Sequence, residues 1–119
     1  MATSYTPILK LALPATGELS GTWGDVVNNN ITSMVEEAIA GLAVINTWTT
    51  NSHTLTTSNG TSAESRCAVL VATSDGSGNP SAAATIICPS AAKLYVLKNS
   101  SGQAVTLRTS GGSGIAVPD

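Results

Sequence analysis

Few side chains in this chain could do chemistry, and their spacing is uninformative for catalysis. His53 is the only histidine, so a metal site would have to recruit Cys67, Cys88 or carboxylates, none of which stands at a recognisable ligand spacing. A hydrolytic triad would need His53 beside a nucleophile and a positioned acid. Serine is plentiful, but there is no Gly-x-Ser-x-Gly elbow and no residue nominated to orient the imidazole. His53 therefore reads as a turn residue. Gly111, Gly112 and Gly114 lack the lysine and the following helix of a phosphate-binding loop, and read as a flexible hairpin turn. Trp23 and Trp48 offer faces on which a sugar could stack, yet a tryptophan at a helix start and another in a threonine-rich strand read as core or interface anchors. The sequence points to no enzyme, no metal and no cofactor.

Composition favours assembly instead. Only 10% of the 119 residues are charged and phenylalanine is absent, whereas a soluble domain ordinarily carries about a quarter charged residues. A surface of neutral hydroxyls and amides packs closely against other protein at lower cost than an ionic one. A formal charge of −2, with Lys10, Arg66, Lys93, Lys98 and Arg108 scattered, argues against nucleic-acid binding, which needs a basic face. No apolar run approaches the roughly twenty residues of a membrane span, and the start lacks the basic region of a secretory signal, so the expectation is a soluble, cytoplasmically made protein. Cys67 and Cys88 lie within apolar runs and read as thiols.

The elements that must position these residues are organised around one helix. Over residues 22–42 the apolar residues Trp23, Val27, Ile31, Met34, Ala38 and Leu42 recur at helical spacing, widened by Val26, Val35 and Ile39. Thr22 with Asp25 forms an imperfect capping box, and Gly41 is the stop. The stripe suits packing on a sheet or against copies of itself. Before it, Pro7 and Pro14 keep residues 1–21 extended around Ile8, Leu9, Leu11 and Leu13, an arm suited to another chain's surface. After it the period becomes two. Residues 43–57 read as a hairpin turned at Asn51-Ser52-His53, 66–73 and 83–88 as buried central strands, and 93–108 as a second hairpin turned at Ser101-Gly102. Residues 115–117 begin one more strand. The expected fold is α+β and mainly β: an arm, one helix, and an antiparallel β-domain over 43–119, as a small sandwich or barrel without a solenoid repeat.

Two segments carry a resemblance. LPATGELSGTWGDVVNNNITSMVEEAIAGL, residues 13–42, and LYVLKNSSGQAVTLRTSGGSGIAVPD, residues 94–119, resemble the amino-terminal region and a small β-module of tail-fibre-like virion proteins of marine podoviruses, the cyanophage and pelagiphage type. In that family the module continues past the proline into a glycine-led turn and a last strand, which this chain lacks. Either this is the front of a longer fibre or a neighbouring chain completes the sheet.

The resemblance implies a homotrimeric, non-enzymatic phage structural protein of the virion tail, assembled in the host cytoplasm. Its amino-terminal part would dock on a tail adaptor, nozzle or other virion protein, and a distal part would meet a host-surface glycan. The expected interface comprises Ile8, Leu9, Leu11, Leu13, Trp23, Val27, Ile31, Met34 and Ala38, with Trp23 as pivot. Two other readings stay open: a head-attached fibre or decoration protein, and a carbohydrate-binding module of a receptor-binding protein.

Overall fold

The computed structural model describes residues 3–119. Its secondary structure runs β1 (Ser4–Tyr5), β2 (Ala12–Leu13), α1 (Trp23–Val27), a π-helical segment (Asn28–Thr32), α2 (Ser33–Ala40), β3 (Leu42–Ile45), β4 (Ser52–Thr54), a 3-10 turn (Glu64–Arg66), β5 (Val69–Thr73), β6 (Ala84–Ile87), β7 (Val96–Ser100), β8 (Val105–Arg108) and β9 (Ile115–Val117). This is the mainly β chain with one helix that the periodicities imply.

The strand pairing is not the expected one. β3, β5 and β7 form one sheet and β4, β6 and β8 another, and every one of those pairs is parallel. Within these two sheets β9 runs antiparallel, on β8. The chain lays one strand in the first sheet, crosses to the second, and returns a level higher. The three levels are β3–β4, β5–β6 and β7–β8, a short solenoid rather than an antiparallel sandwich or closed barrel. Leu42 pairs with Val69 and Val69 with Val96, so the levels repeat in the structure where the sequence reading expected no solenoid. The two expected hairpins, 43–57 and 93–108, are the first and third levels. The central positions expected for 66–73 and 83–88 are observed, β5 between β3 and β7 and β6 between β4 and β8.

Alternation explains the core. Ile45, Leu70, Ile86 and Val105 are fully buried, with Ala43, Ala72 and Ala84 beside them, so each sheet turns alternate residues inward onto a common core. Local polar groups make the corners. Thr50 and Asn51 take left-handed φ of 51° and 59° between Thr49 and Ser52, whose amides and carbonyls bond reciprocally at 2.8 and 3.0 Å. Asp75 Oδ1 accepts from the amides of Ser77 at 2.7 Å and Asn79 at 3.0 Å. At the third corner Asn99 Nδ2 donates to Gln103 O at 2.7 Å and Val117 O at 2.9 Å, tying β9 to the corner beneath it. Trp48 packs on the core as expected, its indole N–H donating to Thr73 O at 2.9 Å.

The helix is shorter than 22–42 and not uniform. Thr22 makes no side-chain cap. Asparagine competes for backbone hydrogen bonds and is a weak helix former, and Asn28–Thr32 is π-helical, with Ser33 Oγ donating to Asn28 O at 2.7 Å and Asn30 Nδ2 to Gly60 O at 2.6 Å. The wider turn rotates α1 relative to α2, so the stripe does not stay on one face. Met34 is buried, while Val27, Ile31 and Ala38 are half-buried and Trp23 is exposed. Gly41 does end the helix, in extended conformation, and a Cβ there would overlap Glu37 O.

Candidate functional site

The arm expected to be extended is a folded hairpin. Ser4 pairs with Leu13 and Tyr5 with Ala12, Lys10 takes a φ of 59° at its tip, and Thr6 closes it, its amide donating to Leu11 O and its Oγ1 accepting from Leu11 N, both at 2.9 Å. Glu18 seals the base: its carboxylate accepts from Ala15 N at 2.8 Å and from Thr3 Oγ1. The Thr3 hydroxyl, then the Ala15 amide, hold the Glu18 carboxyl below its ordinary pKa.

The arm also docks on its own chain, against the expectation that it would leave its own β-domain free. Arg66 makes the junction. It is among the few buried polar residues; its Nε donates to Leu9 O at 2.7 Å, Nη2 to Ser58 O at 2.7 Å, and Nη1 to Thr61 O, to Met34 Sδ at 3.1 Å and to Glu37 Oε1 at 3.3 Å. One guanidinium thereby ties arm, helix and the 58–61 loop to the β-domain. Glu37 Oε1 also accepts from Ala63 N at 2.9 Å, and Gly60 N donates to Lys10 O at 2.7 Å. Gly60 is required here. Its φ is +66°, and a Cβ would lie 3.0 Å from the Tyr5 ring.

Beside this junction Pro7, Ile8, Leu9, Leu11, Ala92 and Lys93 line an open apolar groove of about 470 Å3. Lys93 bounds it, with Nζ donating to Cys67 O at 3.0 Å and lying 4.2 Å from the Tyr95 ring centre. Burial lowers the Lys93 pKa and raises those of Cys67 and Tyr95. The Tyr95 phenol, donating to Ser65 O at 2.6 Å, is pushed up to about 12.

The expected interface residues therefore divide. Ile8, Leu9 and Leu11 meet in the groove, Leu13 and Trp23 project outward, Val27, Ile31 and Ala38 are partly covered, and Met34 is packed beneath Arg66. His53 is not a turn residue but sits in β4. Its Nε2 lies 2.9 Å from Glu64 Oε1 and its Nδ1 2.9 Å from Thr47 O, so it joins the first corner to the 3-10 turn. Cys67 and Cys88 are free. Among the described residues no cluster of His, Cys, Asp or Glu could hold a metal ion, and no helix is long and apolar enough to cross a membrane.

Sequence reasoning missed Arg66, Glu37 and the pairing of His53 with Glu64, since nothing local marks partners 29 or 11 residues apart. No protein-family model, curated protein or solved structure matches the chain.

Proposed function

We propose that the chain is a non-enzymatic structural component of a phage virion, a tail fibre or fibre-like appendage of the marine podovirus type. It is anchored to a tail adaptor or other virion protein by its amino-terminal region and works as a homotrimer; a distal part would meet the host glycan. The sequence resemblance over residues 13–42 and 94–119 motivates this reading. The structural observation that supports it most is what the anchored arm and helix leave uncovered. Ile8, Leu13 and Trp23 are exposed, Trp23 by 65%, although the arm bearing Ile8 and Leu13 is held through Arg66 and Glu18 and Trp23 opens the helix whose later half, α2, Arg66 grips through Met34 and Glu37. Large apolar side chains presented from fixed backbone are the anchors that recur at protein interfaces.

The test uses point changes rather than deletion of the arm, because deletion would strip Arg66 of its Leu9 partner. Trp23→Ala and Leu13→Ser remove exposed groups and should leave the melting temperature of the isolated protein within the range of surface substitutions. Each should reduce incorporation into particles in a complementation assay. Normal incorporation of the double variant would refute the anchoring role.

A further inference from the structure

The two outer faces of the solenoid differ in chemistry. On the sheet of β4, β6 and β8, the row Ser52, Thr85, Thr106 stands in register, a line of hydroxyls content in water. On the sheet of β3, β5 and β7, the row Leu42, Val69, Val96 stands in register, followed by Val44, Val71 and Lys98. Leu42, Val44 and Val96 are exposed by 58, 49 and 56%. Leu94, which continues the outward alternation two residues before Val96, is exposed by 84%. Parallel sheets are ordinarily covered on both faces, and their strands read as aliphatic on both sides. This sheet has that composition, yet the chain's own helix leaves the face open, being tied instead to Arg66 and Ala63.

We propose that this face is covered by the same face of two further copies of the chain, the three meeting around a common axis. The inference deepens the homotrimer reading and rests on it. Two observations select a copy. The face carries one charge, Lys98 at the end of the second row, so its complement must be equally apolar and uncharged, and the same face supplies that without bringing many like charges together. The exposed parts of Leu42, Val44, Leu94 and Val96, with the half-covered Val69 and Val71 between them, amount to an apolar patch on the order of 400–500 Å2, the size that on a soluble protein commonly marks an interaction site. Three such faces meeting remove about three times that from water, above the roughly 1,000 Å2 at which specific association begins.

Sedimentation velocity over a micromolar concentration series tests this on the full chain, with circular dichroism to verify folding. The wild type should associate with rising concentration. Leu42→Arg and Val96→Arg place charge on residues more than half exposed in the single chain, and each should weaken association at least tenfold while keeping the wild-type circular dichroism spectrum. Thr54→Arg, on the exposed side of β4, should not. Leu94→Ser, which adds no charge, should weaken association in the same direction and covers the case of an arginine variant that fails to fold. A wild type that associates equally with both arginines in place would overturn this assignment of the face and leave the oligomer reading standing. A wild type that is monomeric throughout the series would overturn both. Neither result bears on the Trp23 incorporation assay, which reads a different surface.

Discussion

Replacing Arg66 tests whether one buried guanidinium holds the anchoring region to the β-domain. Its side chain is 2% exposed and that of its partner Glu37 13%. Arg66→Met keeps the volume but strands the Glu37 carboxylate with Ala63 N as its remaining partner, and it removes the donors to the carbonyls of Leu9, Ser58 and Thr61. Breaking a buried ion pair by removing one member costs about 3–5 kcal/mol. The freed carbonyls add to this to the extent that water does not reach them. Against a total stability of roughly 5–15 kcal/mol for a domain this size, a loss of about 4 kcal/mol should lower the melting temperature by roughly 15–20 °C.

Urea unfolding followed by fluorescence measures the cost, and the cycle with Glu37→Gln isolates the pair. The glutamine keeps an acceptor for Ala63 N but removes the charge, so the double variant should be more stable than additivity predicts by about 1–2 kcal/mol. Hydrogen exchange adds a local readout: the amides of Gly60 and Thr6, bonded to Lys10 O and Leu11 O, should exchange faster in Arg66→Met than the amides of β5. A cost below 1 kcal/mol, or an additive cycle, would refute the reasoning.

Three further outcomes are expected. The Tyr95 phenol has a folded-state pKa of about 12, raised by burial, so the stability associated with keeping it neutral is fully present below its unfolded value near 10 and is lost as pH rises towards 12. In a Tyr5→Phe variant, absorbance at phenolate wavelengths should titrate near 12 when folded and near 10 in denaturant; a folded midpoint at 10 would contradict this. Cys67, buried with its thiol pKa raised first by desolvation and then by the Glu37 charge, should resist alkylation until the protein unfolds, and mass spectrometry of labelled peptides should find Cys88 modified first. Gly41→Ala, at an ordinary φ of −71°, introduces a Cβ that overlaps Glu37 O and should cost about 1–3 kcal/mol by overpacking; a neutral effect in urea unfolding would show that the helix end gives way.

Much of the fold is legible in the amino acids alone. The alternating runs within 43–57 and 93–108 and the apolar runs 66–73 and 83–88 mark the strands, because a strand sends successive side chains to opposite sides whatever its neighbours are. The helix and its end at Gly41, the central places of β5 and β6, and the turn from β8 into β9 follow from equally local preferences. Strand partners do not. A turn signal between two alternating runs marks where the chain bends, and a hairpin and a solenoid corner bend with the same residues, so β3–β4 and β7–β8 read as antiparallel pairs. Only stacking in three dimensions decides for parallel levels, setting Leu42, Val69 and Val96 in one row. The same holds for the helix stripe, rotated by the π-helical turn at Asn28–Thr32, and for Arg66, whose five partners come from residues 9, 34, 37, 58 and 61. Local preferences act over a few residues through the backbone, whereas a buried charge is satisfied by whichever acceptors the folded chain brings around it.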